Sequence, residues 1–578
     1  MMPATRSQSL LAFLAVAIVA TLVVGPFFFA GNVSGHDFEF HTSSWLDVSW
    51  QWKHGVIYPR WSQWANGGFG EPRFIFYPPA SWILGAALGL VLPWRAVPGA
   101  FICLVVMFSG MSMMRFARYW LPPRDAILAA ILYAASPYAL LIIYLRSDFA
   151  ELLAASFFPL LVLYTLRTVA SAPRARVTAA LAAVFAAIWL CNAPAGVLAT
   201  YTVCLLITVL AITGRSSRPL FIGIAAMALG FLLAGFFIVP AAFEQRWVNI
   251  SRALSSGLRP EQNFLFTRTS DPEHNLFNGI VSAIAVGMLV LAGIAARARP
   301  NLSRHPGAAP NSNEERKPPA YGPLLALTLA AAALLFPISG LIWRWLPQLR
   351  FLQFPWRWLG PLGVPFAYFL ASAIARARWR HLWQILALAA VVGSGLFLVR
   401  HAWWETDDLN VLRDAVSSGQ GFEGTDEYDP LGDDHYDLPK HAPLVAGPSP
   451  GQLHAQGPRW ATEAAPRIGI ERWAPEEKRF EVDADRPAQI ALRLLGYPAW
   501  RVEVNQQQVD PSSPPGTAQM IITIPAGHNR VRVRFVRTLD RTIGLALSAM
   551  GFIALLWLRL SGAKKEDIHP LGGQDSSA

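Results

Sequence analysis

The stretch GHDFEFHTSSW contains four ionisable side chains in six consecutive positions: His36, Asp37, Glu39 and His41. Carboxylates accept protons in general base catalysis and bind divalent cations. Asp37 and Glu39 are two positions apart, so an extended strand would direct both side chains to the same side. The pair therefore suits a divalent cation, or one carboxylate as a base that its neighbour orients. A solvated loop beside the membrane, without chemistry, is the alternative.

The two histidines make a poorer metal site. His36 and His41 are five residues apart and do not share a helical face, and no third ligand follows at a spacing typical of zinc sites. The sequence has no Cys-x-x-Cys pair, and its three cysteines all fall inside apolar runs. Asp37 and Glu39 are therefore the residues expected to hold a metal ion if one takes part.

One further stretch, RWLPQLRFLQFPWRWLG, contains Arg344, Arg350, Gln353 and Arg357. Arginine binds phosphate through paired hydrogen bonds, so this cluster favours an anionic partner such as the phosphate of a lipid carrier. Binding of lipid headgroups without catalysis is the alternative. The stretch YLRSDFAEL adds the acidic residues Asp148 and Glu151 at the outer end of a span.

The composition indicates which elements position these residues. Of 578 residues, 53% are hydrophobic and only 15% are charged, which is typical of a multi-pass membrane protein. The run Leu10 to Ala30 has no charge and is long enough to cross a hydrocarbon core of about 30 Å. It exceeds the apolar part of a signal peptide, so an uncleaved first span is predicted.

Thirteen apolar runs are candidate spans, and the distribution of Arg and Lys favours about twelve full crossings. The run 79–93 is short enough to be re-entrant, and thirteen crossings are the alternative. No run between 99 and 400 has a charge near its middle, which argues against an ion-coupled transporter. The other runs are 10–30, 99–114, 126–144, 152–166, 177–190, 195–213, 219–242, 275–296, 321–343, 358–375, 382–400 and 541–560.

Residues 401–540 are more polar and contain no run that could cross a membrane. The segments QIALRLLGY, WRVEVNQQQV, MIITIP and NRVRVRFV have the β-branched or alternating pattern of short strands. We therefore predict a small extracytoplasmic β-sandwich before the last span. The predicted domains are a transmembrane helical domain at 1–400 with an outer loop at 31–78, the β-rich domain at 401–540, a transmembrane helix at 541–562, and a disordered cytoplasmic tail at 563–578.

Several motifs together resemble a known family. HDFEFH, FIFYPP, SPYALLIIYLRSDFAE, LRFLQFPWRWL, EYDP and GYPAWRVEVNQQ are similar to segments of the bacterial multi-pass membrane proteins described as 6-pyruvoyl-tetrahydropterin synthase-related, relatives of the YfhO-like proteins. The match extends over nearly the whole chain in order. Nothing resembles the soluble pterin synthase with its three zinc-binding histidines, so that activity is not expected.

This family is similar in layout to the GT-C glycosyltransferases, which have an acidic motif in the first outer loop and use polyprenyl-phosphate sugars as donors. The resemblance implies that Asp37 is the catalytic base or metal-binding carboxylate, with Glu39 second. His41 is expected among the substrate-binding residues. The residues expected to line the donor phosphate site are Arg146, Glu151, Arg350, Gln353 and Arg357.

The expected function is transfer of a sugar from a polyprenyl-phosphate donor to an acceptor outside the cytoplasm, in the bacterial inner membrane. The partners are then a lipid-linked sugar donor and membrane lipids. Nucleic acid is not expected despite the net charge of +11, because the basic residues are not gathered with aromatic residues on a soluble segment. The alternatives are a lipid-linked glycan transporter or flippase, and a non-enzymatic protein of envelope assembly.

Overall fold

The computed structural model describes residues 6–169, 174–298, 320–405, 407–432, 438–439, 441–447, 466–514 and 516–564. Most of the described chain is helical. The α-helices are α1 (Arg6–Val24), α2 (Phe27–Ala30), α3 (Phe38–Lys53), α4 (Ala65–Gly68), α5 (Arg73–Phe76), α6 (Pro79–Val91), α7 (Val97–Ala117), α8 (Pro123–Ala134), α9 (Pro137–Leu141), α10 (Phe149–Ala155), α11 (Phe158–Leu166), α12 (Arg174–Cys191), α13 (Ala193–Gly214), α14 (Arg218–Leu233), α15 (Gly235–Glu244), α16 (Pro260–Asn263), α17 (Pro272–Arg297), α18 (Tyr321–Leu334), α19 (Gly340–Trp345), α20 (Leu359–Arg376), α21 (Arg380–His401), α22 (Asp408–Ser417) and α23 (Leu539–Lys564).

The predicted membrane spans are present as long apolar helices. Within the described residues, ten helical segments are long and apolar enough to cross a membrane, or twelve if each of two bent pairs is one span. The bent pairs are α14 with α15, at 75°, and α18 with α19, at 92°. The run predicted to be re-entrant forms the 13-residue helix α6, which is too short for a straight crossing. The upper count equals the twelve crossings favoured by the sequence.

Basic loops meet at one end of the helix bundle. Arg380 lies 3.6 Å from Asp125, and Arg376 donates to the carbonyl of Ala298 at 3.3 Å. Arg167 lies over the ring of Tyr119. These contacts lie at one end of the bundle, and the other ends of the same helices surround the acidic loop after α1. The bundle therefore has a basic end, and the predicted site lies at the opposite end.

A β-sheet domain packs at the site end. Its five-stranded sheet has the order β4-β5-β10-β7-β8 and its three-stranded sheet the order β3-β6-β9, and all paired strands are antiparallel. Apolar side chains of both sheets, such as Val482 and Ile522, form a common core. The strands of this domain are β3 (Val445–Ala446), β4 (Arg467–Ala474), β5 (Glu477–Ala484), β6 (Ala488–Leu495), β7 (Trp500–Val504), β8 (Gln507–Val509), β9 (Gln519–Ile524) and β10 (Gly527–Phe535). The short strands β1 (Asn32–Val33) and β2 (Trp404–Glu405) pair only with each other, directly before the acidic loop and after α21.

The fold class predicted from the sequence, a mainly helical membrane bundle with a small β domain, is confirmed. Each of the four predicted strand segments contains a strand, with WRVEVNQQQV divided into β7 and β8. Strands β1 to β5 were not predicted. Most of the predicted disordered tail lies outside the described residues, although α23 continues to Lys564.

The β domain is held to the bundle by buried polar contacts. Arg541 of α23 donates to both carboxylate oxygens of Glu244, at 2.7 and 2.8 Å, and the hydroxyl of Tyr497 donates to the same carboxylate at 2.6 Å. The fully buried amine of Lys478 donates to Gln63 at 2.7 Å. Tyr497 and Lys478 belong to the β domain, whereas Glu244 and Gln63 belong to the helical domain. These contacts therefore fix the position of the β domain at the site end.

Candidate functional site

The acidic loop after α1 is fixed by the backbone of another span. The amide of Gly35 donates to the hydroxyl of Ser147 at 3.1 Å, and the amide of Asp37 donates to the carbonyl of Arg146 at 2.9 Å. A Cβ atom at Gly35 would lie 2.6 Å from the carbonyl oxygen of Leu145, so only glycine fits this close approach. The loop therefore brings Asp37 directly beside Arg146.

The structure corrects the expected conformation of the carboxylate pair. The segment is not an extended strand, because α3 begins at Phe38, directly after Asp37. Residues two positions apart on a helix point about 200° apart, so Asp37 and Glu39 do not share one side. Both side chains still line the same cavity, with Glu39 exposed and Asp37 one-third exposed.

Arg146 is the cationic partner of Asp37. Its Nε donates to Oδ2 of Asp37 at 3.0 Å, and its Nη2 donates to the same oxygen. A π-helical turn over Ile142–Arg146 and a left-handed Ser147 end the span here and turn Arg146 towards the loop. The guanidinium is buried, and its Nη1 has no hydrogen-bond partner among the described residues. Arg146 therefore has one donor group left for a bound anion.

Asp148 joins the two arginines of the site. Its Oδ2 lies 3.4 Å from Arg146 and 3.5 Å from Arg357, and its Oδ1 lies 3.5 Å from Nε2 of the buried His41. Burial disfavours the charge on Asp148, but the His41 imidazole and the two guanidinium groups outweigh it and hold the pKa of this carboxyl below its usual range. Asp148 is therefore an ionised bridge between cations.

Arg357 is held from behind by Glu151. Its Nε donates to Glu151 at 2.9 Å, and the hydroxyl of Tyr138 donates to the other oxygen of that carboxylate. Its Nη1 donates to the carbonyl of Leu352 at 2.8 Å and to the side-chain oxygen of Gln353 at 3.2 Å. The predicted residues Glu151 and Gln353 thus orient Arg357 from opposite sides.

Aromatic rings cover the guanidinium groups. The rings of Phe354 and Trp356 lie about 5.0 and 5.1 Å from the guanidinium carbon of Arg146, and Phe354 lies 4.9 Å from that of Arg357. Stacked rings exclude water and strengthen the electrostatic attraction of a nearby cation for an anion.

A second buried cluster forms the wall nearest the β domain. Arg73 donates to Glu71 at 2.5 Å and to the hydroxyls of Ser43 and Ser44 at 3.1 and 3.0 Å. Its Nη2 donates to the hydroxyl of Thr425 at 3.2 Å. This wall joins the loop before α6 to the segment that leads into the β domain.

These clusters enclose a cavity of about 670 Å³, large enough for a sugar with a phosphate. The cavity lies between the acidic loop, the N-terminus of α17 and the segment 422–428. Polar and aromatic groups lie around it on several elements. Of the predicted residues, those in its lining are Asp37, Glu39, Arg146, Gln353 and Arg357.

The remaining predicted residues lie elsewhere. His41 and Glu151 are buried behind the lining, in contact with Asp148 and Arg357. Arg350 does not line the cavity: its guanidinium is about half exposed and lies 3.9 Å from Glu261. The short 3₁₀ helix Leu349–Leu352 directs Arg350 away from Arg357, which sequence proximity alone did not indicate.

Several lining residues were not among the predicted ones. Asp148 lies inside a stretch that the sequence singled out, and Arg73 directly precedes the FIFYPP motif, so both could have been found. Glu427 begins the EYDP motif, so it too could have been found, whereas Asn192 and His274 have no neighbouring pattern that points to the site. They reach the cavity only because the helices pack as they do.

The residues present offer few ligands for a metal ion. Within the described ranges, no group of three or more His, Cys, Asp or Glu side chains is arranged to bind one. One oxygen of Asp37 is already bonded to Arg146. A divalent cation at Asp37 and Glu39 would therefore need further ligands from substrate or water.

The fold and the site define a multi-pass membrane protein with a charged, aromatic-walled cavity at one end of its helix bundle. A family model described as "6-pyruvoyl-tetrahydropterin synthase related domain; membrane protein" matches residues 74–405, more than half of the chain. The chain belongs to this family, as its motifs predicted. No curated protein matched the sequence.

Solved structures of glycosyltransferases are similar in layout. The mycobacterial arabinofuranosyltransferase AftD is 19% identical, with a TM-score of 0.43 over 67% of this chain and 27% of that protein. The Archaeoglobus fulgidus oligosaccharyltransferase is 13% identical, with a TM-score of 0.34 over 73% and 56% of the two chains. ArnT from Cupriavidus metallidurans, solved with undecaprenyl phosphate, is 13% identical, with a TM-score of 0.30 over 75% and 92%. The chain thus spans about a quarter of AftD.

Proposed function

We propose that the protein transfers a sugar from a polyprenyl-phosphate donor to an acceptor outside the cytoplasm. The main supporting observation is the Asp37–Arg146 pair at the edge of the cavity. A partly exposed carboxylate and a guanidinium with a free Nη1 lie in direct contact there. Glycosyl transfer from a phosphate needs both a carboxylate near the acceptor and cations near the leaving group.

The cationic half of the site suits a phosphate leaving group. Arg146 and Arg357 are both buried, both contact Asp148, and both line the cavity. When the bond between the anomeric carbon and the phosphate oxygen breaks, negative charge develops on that oxygen. Guanidinium groups fixed beforehand stabilise this charge without reorganisation. Asn192, at the N-terminus of α13, adds a polar group to the same cavity.

An apolar groove supports a donor with a lipid tail. A groove of about 1040 Å³ runs between α17, α20 and α21, and its lining is almost wholly apolar. Helix α17 joins the groove to the cavity, because His274 and Phe277 line the cavity while Gly279 and Gly287 line the groove. A lipid could therefore lie in the groove with its phosphate at the arginines.

Asp37 is essential to the proposed reaction, either by direct participation or by positioning Arg146. It was predicted as the base or cation ligand, and it also keeps Arg146 in position. The active face is proposed to be extracytoplasmic, because basic loops cluster at the opposite end of the bundle and such loops favour the cytoplasm. In a bacterium this orientation corresponds to the outer face of the inner membrane.

The proposal is tested in a strain that lacks the protein and is complemented with Asp37→Asn. Envelope glycans and glycolipids are measured by mass spectrometry, and the amount of inserted protein by immunoblot. Asp37→Asn should abolish the restored sugar while inserting normally. Asp414→Asn, the same change on the exposed face of α22, is the matched control and should restore it fully.

Unchanged sugar incorporation in the Asp37→Asn strain would refute the proposed transfer. A glycan transporter would give a different pattern. In that case the lipid-linked intermediate would keep moving across the membrane in Asp37→Asn vesicles, and only arginine variants such as Arg146→Gln would stop it.

A further inference from the structure

Glu427 is a cavity carboxylate that the proposed reaction has not used. It lies in the short 3₁₀ helix Asp426–Tyr428, in the segment between the bundle and the β domain, and its side chain lines the cavity. Its environment differs from that of the other cavity carboxylates Asp37 and Asp148. Asp37 and Asp148 contact guanidinium groups, whereas Glu427 makes no ion pair or side-chain hydrogen bond with any other described residue.

The segment that contains Glu427 is rigidly held. The amide of Thr425 donates to Glu71 at 2.8 Å, and the ring of Tyr428 stacks on Phe76 with centroids 5.8 Å apart. Asn66 donates to the fully buried carboxylate of Asp429 at 3.1 Å. Contacts on both sides thus fix the backbone of Glu427, and only its side chain is free to meet a ligand.

The charges around Glu427 are mixed. Burial raises the pKa of Glu427 to about 7, the charges of Glu71 and Asp426 add to this effect, and Arg73 opposes it. Glu39 and the Asp37–Arg146 pair line the same cavity. A base works best when its pKa lies near the working pH, and a carboxylate without a bound cation has a lone pair available.

We propose that Glu427 accepts the proton of the acceptor hydroxyl during transfer. The inference rests on the proposed glycosyl transfer. It assigns the base to Glu427, so that Asp37 keeps Arg146 in position or holds a cation. The acceptor oxygen forms a bond to the anomeric carbon of the donor sugar. The bond from that carbon to the phosphate oxygen breaks, and its electron pair leaves with the lipid phosphate beside Arg146 and Arg357. The hydroxyl proton moves to a carboxylate oxygen of Glu427, on the side of the cavity next to the β domain.

The experiment measures how the transfer rate depends on pH. Membrane vesicles from the deletion strain, complemented with each variant, are prelabelled with radioactive glucose, so that the host's own lipid-linked sugars and acceptors are the probe. The initial rate at which label leaves the lipid-linked pool for polymer is followed between pH 5.5 and 9. The variants are Glu427→Gln, Glu427→Asp and Asp37→Asn, with Asp414→Asn as the control.

In the wild type and in Asp414→Asn, the rate should rise with pH and level off above about pH 7, because the base must be ionised. Glu427→Gln should lower the plateau about 100-fold and remove the dependence on pH. Glu427→Asp should keep a pH-dependent rate that is lower by about tenfold, which a merely structural role for the side chain would not produce.

Two other outcomes are informative. If Asp37→Asn abolishes transfer while Glu427→Gln keeps both the rate and the pH profile, the inference is wrong and the proposed function stands. If Asp37→Asn also transfers at the wild-type rate, the proposed function itself fails. To exclude misfolding, the amount of inserted Glu427→Gln protein, measured by immunoblot, and its melting temperature should equal those of the wild type.

Discussion

Arg146 donates two hydrogen bonds to a single oxygen of Asp37, although the two residues are 109 positions apart in the chain. The two hydrogen bonds do not involve Oδ1 of Asp37 or Nη1 of Arg146. Because the guanidinium is buried and also lies 3.4 Å from Asp148, it cannot move without separating two carboxylates from their cation. The pair therefore orients both halves of the site at once.

Lysine cannot replace Arg146. A single ammonium cannot donate along the two directions that Nε and Nη2 occupy while a third donor remains for a phosphate. Arg146→Lys should lower sugar transfer about 100-fold while the protein still inserts. Arg350→Lys is the matched control, since Arg350 lies outside the cavity, and it should change transfer less than twofold. Equal losses in the two variants would show that positive charge at this end of the bundle, rather than geometry, is what matters.

The close approach at Gly35 should be intolerant of a side chain. Gly35→Ala would place a methyl group 2.6 Å from the carbonyl oxygen of Leu145, so the loop must shift and Asp37 must leave Arg146. We expect a lower melting temperature and a loss of transfer close to that of Asp37→Asn. Gly99→Ala, in α7, has open space around the new methyl group and should retain both properties. Wild-type transfer by Gly35→Ala would contradict the proposed role of this loop.

Acid should weaken the network around Asp148. The pKa of this carboxyl is lowered in the folded protein, so its contribution to stability is fully present above the unfolded value of about 3.9 and is lost as the pH falls below it. Asp148→Asn should reduce stability by about 3 kcal/mol at pH 7. The melting temperatures of wild type and variant, measured by tryptophan fluorescence, should converge below pH 4. A constant difference at all pH values would contradict this assignment.

The buried carboxylate of Glu244, which accepts hydrogen bonds from Arg541 of α23 and from Tyr497 of the β domain, should be important for stability. Glu244→Gln leaves the buried Arg541 without its counter-ion, which costs about 3 to 5 kcal/mol. We expect faster release of the β domain by limited proteolysis. Glu503→Gln breaks the contact with Arg534 on the more exposed sheet surface and should cost less than about 1 kcal/mol. Similar proteolysis of the two variants would mean that apolar packing alone holds the domain.

Leucine side chains in the groove should interfere with a lipid tail. Gly279 and Gly287 on α17 line the groove and have open space beyond a Cβ position. Gly279→Leu and Gly287→Leu should reduce co-purified polyprenyl phosphate at least tenfold, measured by lipid mass spectrometry. Gly293→Leu on the same helix has equal space but does not line the groove, and should retain the lipid. If Gly279→Leu and Gly287→Leu lose co-purified phospholipid but keep polyprenyl phosphate, the groove is an ordinary contact with membrane lipid.

The elements of this protein could be predicted because their signals are local. The length of an apolar run decides whether it can cross a bilayer, and alternation decides whether a segment suits a sheet. The run 321–343 was therefore predicted to be one straight span, whereas α18 and α19 meet at 92°. The bend depends on how the helices pack, which no periodicity reports.

The sequence by itself determined that the chain is a membrane bundle with a polar β domain, and that Asp37, Arg146 and Arg357 belong to stretches suited to chemistry. Only the tertiary structure decided which of these residues meet. It paired Asp37 with Arg146, brought Glu427 to the lining of the same cavity, and left Arg350 outside it. The physical reason is that contacts between residues far apart in the chain depend on helix ends, bends and close backbone approaches, which are consequences of packing rather than of composition.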